Sequence, residues 1–415
     1  MLPLSSPQTA IERTVREEWG RILASLVKSV GDFQLAEDSL QDALIKALDH
    51  WQKDGLPKSP AAWLLTTARR RAIDRLRRDQ NFSGKAKEIA YLIDLENEVV
   101  EEDDSAIPDK RLEMIFTCCH PALEQKTRVA LTLRTLGGLT TEEIAAAFLD
   151  KPQAMAQRLV RAKKKIKLAA IPYEIPDHEL LPERITSVLS VIYLIFNEGY
   201  SATAGNSPVR ADLCDEAIRL ARIVTQLMPS EAEVSGLLAL MLLHDSRRLT
   251  RMSEDGSIVP LEHQNRKRWD RGKIEQGKQL LQQTLPRRAI GPYQLQAAIS
   301  AVHADSASWE ETDWPQIQAL YALLYQLNPT PVVRLNQALA LSHARSVEEG
   351  LAMIEEAAAG GVLDDYQPYY AAKADLLDRS GDRRQAIECL QRAIDLSDNE
   401  ADRQFLKAKV KRFKD

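Results

Sequence analysis

The 415-residue chain has little of what enzyme and metal sites are usually built from. Its four cysteines, Cys118, Cys119, Cys214 and Cys389, follow neither a disulfide framework nor the spacing of zinc ligands. Phosphate-binding glycine loops and the HExxH, GxSxG and paired-carboxylate motifs are missing as well. We therefore predict no catalytic residues, no metal ligands and no cofactor.

One local cluster of reactive residue types is present, because Cys118 and Cys119 directly precede His120 and Pro121. Adjacent cysteine side chains point in different directions, and no second ligand pair follows them. We interpret the cluster as a packed helix end. A metal site or an enzyme centre built on it is the last of the alternatives.

Long apolar segments are also missing. The longest, around Ile185 to Phe196, is interrupted by Thr and Ser and is too short to span a bilayer. The first residues lack the basic stretch and apolar core of a signal peptide. We expect a protein that does not associate with a membrane and is located in the cytoplasm.

Period-two alternation of useful length is absent, whereas apolar residues recur at three- and four-residue steps. The first helix is predicted to bury Trp19, Ile22, Leu23, Leu26 and Val30 on one face. In a second helix, from Phe33 to Trp51, the positions predicted to point inward are Leu35, Leu40, Leu44, Ala47, Leu48 and Trp51. Later helices are predicted at 61–78, 111–117, 123–136, 140–148 and 152–169, so the fold class is all-α.

The net charge is −5, yet the basic side chains are concentrated in two places. Six arginines and one acid, Asp74, fall between Ala68 and Arg78. A second basic run extends from Arg158 to Lys167, and residues 110–170 carry 12 basic and 5 acidic side chains. Two cationic helices on an acidic protein are typical of a chain that holds nucleic acid at two distant places.

Residues 81–109 join the two basic blocks and carry 2 basic and 9 acidic side chains. They have little apolar periodicity, so they are predicted to form a solvated linker. The alternative is that these acids shield the basic helices when DNA is absent. Pro172 and Pro176 mark the next boundary, and the predicted units are therefore 1–80, 110–172 and 180–415.

The most specific local pattern is a predicted helix–turn–helix. Thr140 and Glu143 have the spacing of a capping box, and Pro152 suits the first turn of the second helix. Met155 and Leu159 point to the core, so the opposite face is predicted to enter the major groove, although a solvated amphipathic helix has the same pattern. The predicted DNA-contacting residues are Lys151, Gln153, Ala154, Gln157, Arg158, Arg161, Lys163, Lys164 and Lys165.

The first basic helix carries more arginines than Asp74 and Asp79 can neutralise. An arginine-rich helix behind a loop with aromatic residues suits melted DNA, because cations hold the backbone while bases leave the stack. Trp63 is explained more simply as a core residue that supports this loop. The predicted DNA-contacting residues here are Trp51, Lys53, Lys58, Arg69, Arg70, Arg71, Arg75, Arg77 and Arg78.

Beyond residue 180 the sequence contains a degenerate helical repeat of about 34 residues, the period of a tetratricopeptide unit. Small residues let the paired helices approach closely, and stacking buries a face that no single pair could bury. The positions that match in the last copy are Tyr370, Ala374, Leu377, Gly381, Ala386, Leu390 and Ala393.

Together these segments resemble the bacterial sigma factors. Gly31 to Ala43 (GDFQLAEDSLQDA) resembles the helix that holds the polymerase clamp, and the arginine helix resembles region two, which captures the −10 element. Residues 110–170 resemble region four, which reads the −35 element. Because no region three lies between them, the chain resembles an extracytoplasmic-function sigma factor of the sigma-70 family. This implies two small helical sigma domains followed by a tetratricopeptide-like domain.

The resemblance implies two partners: promoter DNA, and core RNA polymerase through its beta-prime clamp helices and beta flap. Glu37, Asp38, Gln41 and Asp42 would dock on the clamp. Many family members begin the recognition helix with Ser-Val-Gly-Thr-Val-like residues, whereas this chain has Lys151 to Met155. The promoter sequence therefore cannot be transferred from the family.

The segment YLIFNEGYSA (Tyr193 to Ala202) resembles a subgroup whose C-terminal extension regulates sigma activity. We favour intramolecular contact of the extension with the sigma domains over binding of a separate protein in its groove. A helix–turn–helix regulator with a tetratricopeptide sensor, which is not a polymerase subunit, would leave the first 80 residues unexplained. An interaction scaffold would leave the clustered charge unexplained.

Overall fold

The computed structural model describes residues 7–80, 109–148, 150–200, 211–253, 257–287, 289–397 and 400–414. Apart from turns, short 3₁₀ segments and one antiparallel bridge between Met252 and Ile258, the regular structure in these ranges is α-helical, which confirms the all-α prediction. The chain divides into two compact units between Leu194 and Ile195. No described helix is both long enough and apolar enough to cross a membrane. The predicted acidic linker lies outside the described residues except for Asp109.

The helices of the N-terminal unit follow the boundaries predicted from the sequence within a few residues. They are α1 (Pro7–Val30), α2 (Phe33–Asp54), α3 (Pro60–Gln80), α4 (Arg111–Cys118), α5 (Gln125–Thr135), α6 (Thr141–Ala147), α7 (Pro152–Leu168) and the first part of α8 (Leu181–Tyr200).

Local chemistry sets the ends of the first three helices, which pack on one another. Gly31, at a positive φ of 73°, ends α1, and Asp32 caps α2 by accepting from the backbone N–H of Leu35 at 3.1 Å. Ser59 accepts from the N–H of Ala62 at 3.4 Å, which confirms the predicted start of α3. The predicted buried face of α1 is confirmed for Trp19, Ile22, Leu23, Leu26 and Val30.

The first half of α8 belongs to the N-terminal unit. Arg184 donates to the carbonyl oxygen of Phe116 at 2.5 Å, and Ser187 donates to that of Cys119 at 2.6 Å. These bonds satisfy carbonyls at the end of α4 that have no partner within the helix. The compact unit therefore extends to Leu194, beyond the boundary that Pro172 and Pro176 indicate.

The C-terminal unit consists of helices that pack mainly on their neighbours in the chain, and the helix Ala232–Asp245 is buried on nearly every side. Its helices are α9 (Ala211–Leu227), α10 (Ala232–Asp245), α11 (Arg271–Thr284), α12 (Pro292–Asp305), α13 (Trp314–Leu327), α14 (Pro331–Ala344), α15 (Val347–Ala358), α16 (Gln367–Arg379), α17 (Arg383–Asp395) and α18 (Glu400–Lys414).

The last predicted repeat is the helical hairpin of α16 and α17. Ala374 and Leu377 of the first helix pack with Ala386 and Leu390 of the second in one buried cluster. Gly381 makes the turn at a φ of 92°, a conformation that L side chains rarely adopt. The helix-pair prediction is confirmed for this segment.

His303 and His343 of the C-terminal unit, like His244, are held uncharged by their surroundings. The pKa of His303 is lowered to about 3, chiefly by burial and further by Arg247 and Arg266. The pKa of His343 is lowered to about 4, again chiefly by burial and further by Arg379. Both imidazoles are therefore neutral in the folded protein near pH 7.

We expect the C-terminal unit to lose stability as the pH falls from about 7.5 to about 5.5, because the unfolded chain protonates these histidines below about pH 6.5 and the folded chain does not. The contribution of these histidines to the free energy of unfolding is largest above that pH. It is lost as the pH falls toward their pKa values in the folded chain. Hydrogen exchange of α12 to α14, corrected for intrinsic rates, measures this. The double variant His303→Gln/His343→Gln should show a weaker pH dependence, and a dependence equal to that of the control His50→Gln would contradict the assignment.

Candidate nucleic-acid and partner interfaces

The predicted helix–turn–helix is formed by α6 and α7. Thr140 and Glu143 make the full capping box. The backbone N–H of Thr140 donates to the carboxylate of Glu143 at 2.7 Å, and the backbone N–H of Glu143 donates to the hydroxyl of Thr140 at 3.1 Å. Pro152 lies in the first turn of α7, where its missing N–H has no intrahelical partner to lose. The helix buries Met155, Leu159, Ala162 and Ile166, which confirms the predicted inward face.

The outward face of α7 carries most of the residues predicted to contact DNA. Ala154 is half-buried. Arg158 is also half-buried, because its guanidinium pairs with Asp150 at 2.6 Å. That hydrogen bond lowers the pKa of the Asp150 carboxyl. The exposed members of the predicted set are Lys151, Gln153, Gln157, Arg161, Lys164 and Lys165.

Lys163 differs from its neighbours because it turns toward α2. Its ammonium group pairs with the carboxylate of Glu37 and also donates to Gln34 at 3.0 Å. From α5, Arg134 pairs with the same carboxylate through its Nε at 2.5 Å. The side chain of Glu37 is only 5% exposed, and those of Lys163 and Arg134 are 12% and 15% exposed. One carboxylate therefore joins the predicted docking helix, α2, to α5 and α7.

Further contacts surround this buried carboxylate. Lys167 pairs with Asp32 at 2.8 Å. Burial would raise the pKa of Asp32, but hydrogen bonds from Lys167 and the backbone outweigh it and lower the pKa. A Cβ on Gly20 would lie 2.8 Å from the carbonyl oxygen of Leu136, so only glycine allows α1 this close to the end of α5. Tyr173 completes the contact by donating to the carbonyl oxygen of Ala24 at 2.8 Å.

The six arginines of α3 occupy three different environments. Arg69 is 4% exposed and belongs to the helix face that faces the core. Arg71 and Arg75 are half-buried, and Arg75 pairs with Asp42 at 2.7 Å and with Asp38 at 3.5 Å. Two predicted docking acids are thus in contact with a predicted DNA-contacting arginine. The exposed arginines of the set are Arg70, Arg77 and Arg78.

Trp51 lies at the end of α2 and not in the loop that follows it. It is 1% exposed, and Trp63 packs edge-on against it with ring centroids 5.6 Å apart. The prediction that Trp63 is a core support fits this contact. Lys53 and Lys58 are exposed, and Lys53 pairs with Asp49 one turn earlier at 2.8 Å. A role of Trp51 at the DNA stays a prediction, and in this conformation no base can reach its ring.

The outward side of α2 combines charge with apolar surface. Gln41 is exposed and Asp38 and Asp42 are half-buried. Beside them Ile45 is 68% exposed and Leu48 is 41% exposed. The prediction that Leu48 points inward was wrong, because Ala43, Ala47 and Trp51 fill the contact with α1 and α3. The exposed pair was missed, although Ile45 follows Gln41 by four residues and Asp42 by three and so shares their face.

The cysteine pair is packed as predicted for a helix end. Cys118 and Cys119 are buried, with sulfur to hydroxyl distances of 3.2 Å to Thr135 and 3.6 Å to Thr132. Burial raises the pKa of both thiols, to about 11 for Cys119, so neither forms a thiolate near neutral pH. In the described ranges, no three His, Cys, Asp or Glu side chains are grouped as metal ligands would be.

Comparison with known proteins assigns these surfaces to families. The model for Sigma-70 region 2 matches residues 15–82, and the model for Sigma-70 region 4 matches residues 113–166. A family of unknown function matches residues 184–285. The two sigma regions contain all the residues predicted above to contact polymerase or DNA.

Similar proteins are found over the whole chain and over its N-terminal part. An uncharacterized protein of Rhizobium meliloti (strain 1021) is 40% identical over 391 residues, which are 94% of this chain and 92% of that protein. The ECF RNA polymerase sigma factor SigK of Mycobacterium ulcerans (strain Agy99) is 29% identical over 154 residues, 35% of this chain and 78% of SigK. SigK of Mycobacterium bovis (strain BCG / Pasteur 1173P2) is 27% identical over 151 residues, with the same shares.

Both basic helices and the acid-bearing helix are thus parts of sigma regions, whose partners are core RNA polymerase and promoter DNA. The chain belongs to the sigma-70 family, as an extracytoplasmic-function sigma factor that directs promoter-specific transcription and carries a C-terminal helical extension.

Proposed function

We propose that this sigma factor acts in the cytoplasm by docking α2 on the clamp of core RNA polymerase and holding promoter DNA with α3 and α7. We propose that its C-terminal unit regulates this activity. The observation that carries the proposal is the separation of charge within one unit, with acids on α2 and exposed cations on α3 and α7. Opposite charges on separate helices suit two partners of opposite charge, a basic protein surface and a phosphate backbone.

The proposed docking surface consists of the buried Glu37 and of Asp38, Gln41 and Asp42, together with Ile45 and Leu48. A single exposed ion pair contributes little, about 0–1 kcal/mol, but several acids steer a basic partner. The two exposed apolar side chains add area that is removed from water on docking. This combination supports the use of α2 as a binding face and not merely as a solvated helix.

We expect the double variant Asp38→Asn/Asp42→Asn to bind core polymerase more weakly, while the chain keeps its fold. The amides preserve hydrogen bonds to Arg75 and remove only the charge. Titration of labelled core polymerase with each protein at low salt measures the affinity. Asp49→Asn is the matched control, because it removes an acid from the exposed end of the same helix. Equal affinity of the double variant and the control would contradict the docking assignment.

We propose that α7 reads the −35 element and α3 holds the melted −10 strand. In α7 the exposed Gln153, Gln157 and Arg161 have the hydrogen-bonding groups that read base edges in the major groove. In α3 the exposed arginines suit the phosphates of a single strand. Footprinting of the reconstituted holoenzyme on genomic fragments would identify the two elements.

The chief alternative is a helix–turn–helix regulator that is not a polymerase subunit, and no observation on this chain favours it. Transcription in vitro with purified core polymerase separates the two, because only a sigma factor confers promoter-specific initiation on the core enzyme. Failure of the purified chain to associate with core polymerase at low salt would contradict the proposed mechanism.

The pairing of Glu37 with Lys163 and Arg134 bears on how docking begins. Glu37 is a proposed polymerase contact and Lys163 a proposed DNA contact, yet each is occupied by the other. We infer that this closed arrangement of the N-terminal unit must open before both surfaces are used. Opening breaks these ion pairs but returns the ions to water, so docking has to supply only the difference between pairing and hydration.

Regulation by the C-terminal unit is tested by shortening the chain. The cut belongs after Leu194, where the compact units divide, because a cut near Pro176 would also remove Arg184 and Ser187 from the end of α4. A change in transcription from the cognate promoter, in either direction, would support regulation. Unchanged transcription would identify the C-terminal unit as a passive appendage.

A further inference from the structure

The C-terminal unit contains a cleft that none of the sigma functions uses. Its volume is about 810 Å³. Sites for small organic molecules are typically about 300–1,000 Å³, so the cleft has the size of a ligand site. Helices α12, α13, α14, α16 and α18 contribute to its lining, together with the segment around Leu261.

Aromatic and imidazole rings form one wall of this cleft. Trp309 and Trp314 contact each other edge-on with centroids 4.6 Å apart, and His343 stacks on Trp314 at 4.2 Å. His303 contacts the same two tryptophans, at 6.1 Å and 5.4 Å. Phe405 of α18 also lines the cleft. Such rings favour a planar ligand, because offset stacking adds to the area removed from water.

The electrostatics behind this wall disfavour a cation. Arg266 is 6% exposed and donates to the carbonyl oxygens of His303 at 2.6 Å and Ser306 at 2.9 Å. Arg247 and Arg266 both help to lower the pKa of His303. Burial lowers the pKa of the Arg266 guanidinium, although Glu310 and Glu311 act in the opposite direction. The positive charge of both arginines acts on the aromatic wall and is only partly offset by these two glutamates.

Two cations line the cleft, and one residue of its wall has a buried polar atom. Lys409 of α18 lines the cleft and pairs with Asp375 at 2.9 Å. Arg412, one turn later, lines it too and is exposed. The Nδ1 atom of His303 is buried and has no hydrogen-bond partner among the described residues. A buried polar atom without a partner is unfavourable, so a ligand whose polar group reaches it would be stabilised.

We propose that this cleft binds a small planar aromatic molecule that carries an anionic group such as a carboxylate. Its ring packs against Trp309 and Trp314, and its anionic group pairs with Arg412 at the exposed side. The neutral imidazoles of His303 and His343 complete the polar lining without adding charge. This site is independent of the docking and DNA surfaces, so its failure would leave the proposed sigma function untouched.

The test uses the full chain and three probes in isothermal titration calorimetry. These are 2-naphthoate, the uncharged 2-naphthamide and the aliphatic anion cyclohexanecarboxylate. We expect 2-naphthoate to bind about tenfold more tightly than either of the others. The amide lacks the charge-assisted contact with Arg412, and the aliphatic anion lacks the ring that packs against the tryptophans. If the amide bound as tightly as 2-naphthoate, the ligand's anionic group would not be recognised. If the aliphatic anion bound as tightly, its aromatic ring would not be recognised. Either result would contradict the proposal.

Variants locate the site. Arg412→Gln should reduce the affinity for 2-naphthoate about tenfold and leave 2-naphthamide unchanged, because only the charged contact is lost. Trp309→Leu should weaken both aromatic probes. Arg403→Gln, on the same helix but paired with Glu400 outside the cleft, is the matched control. The proposal is wrong if no probe gives measurable heat, which is the result expected if the cleft instead holds a protein segment. It is also wrong if Arg412→Gln binds 2-naphthoate as tightly as the control variant does.

Discussion

Replacing Arg134 with alanine is expected to increase the affinity of the chain for core RNA polymerase. Arg134 is not a proposed contact of polymerase or DNA, but it holds Glu37 in the closed arrangement. Loss of a charge-assisted hydrogen bond of about 2 kcal/mol shifts the closed-to-open ratio roughly 30-fold. Where the closed form predominates, the apparent affinity rises by nearly that factor.

The measurement compares Arg134→Ala with Arg128→Ala. Both residues lie on α5, but Arg128 donates to Ser187 of α8 at 2.5 Å and does not contact α2. Fluorescence energy transfer between labels on α2 and α7 reports opening directly, and circular dichroism verifies that the helices remain. Glu37 itself is a poor choice, because its removal would alter both the closed contact and the proposed docking surface. Affinity of Arg134→Ala equal to or below that of Arg128→Ala would show that the closed arrangement does not oppose docking.

Removing the exposed arginines of α3 is expected to have the largest effect on transcription. The triple variant Arg70→Ala/Arg77→Ala/Arg78→Ala should initiate about 100-fold less at the cognate promoter, since each charge-assisted phosphate contact contributes about 1 kcal/mol or more. The dependence of promoter opening on salt should also flatten, by about 2 in the logarithmic slope, because single-stranded contacts contribute about 0.7 each. Alanine favours the helix, so the fold should be retained.

A matched control separates the effect of these three positions from the effect of net charge. Arg384→Ala/Lys407→Ala/Lys411→Ala removes three exposed cations from the C-terminal unit and gives the same net charge. Transcription and the salt slope are then measured for both triple variants with the same core polymerase and promoter. If both lose activity equally, the effect is one of overall charge, and α3 has no special role at the DNA.

Much of the candidate site could be predicted from local pattern. The capping box of Thr140 and Glu143 and the early Pro152 determine where α6 and α7 begin, because each acts within one helical turn. The outward direction of Gln153 and Gln157 follows from the burial of Met155 and Leu159 at helical spacing. These properties depend on residues three and four apart, so a single sequence contains them.

The burial of Glu37 could be anticipated only in part. Its neighbours Phe33, Ala36 and Leu40 are buried at helical spacing, so the carboxylate lies on the inner face of α2. The prediction that Glu37 docks on the clamp together with Asp38 and Asp42 did not take this inward position into account. What compensates the charge comes from 97 and 126 residues away, in Arg134 and Lys163, and no local pattern contains that pairing.

The helices, their ends, their apolar faces and the two concentrations of positive charge follow from local sequence, because helix periodicity and capping act over a few residues. Which charged side chains are exposed depends on tertiary packing. Burial of Arg69 and the pairing of Arg75 with two acids of α2 both follow from how helices cross. Charge is a property of composition, whereas its availability depends on which partner packing brings within hydrogen-bond distance.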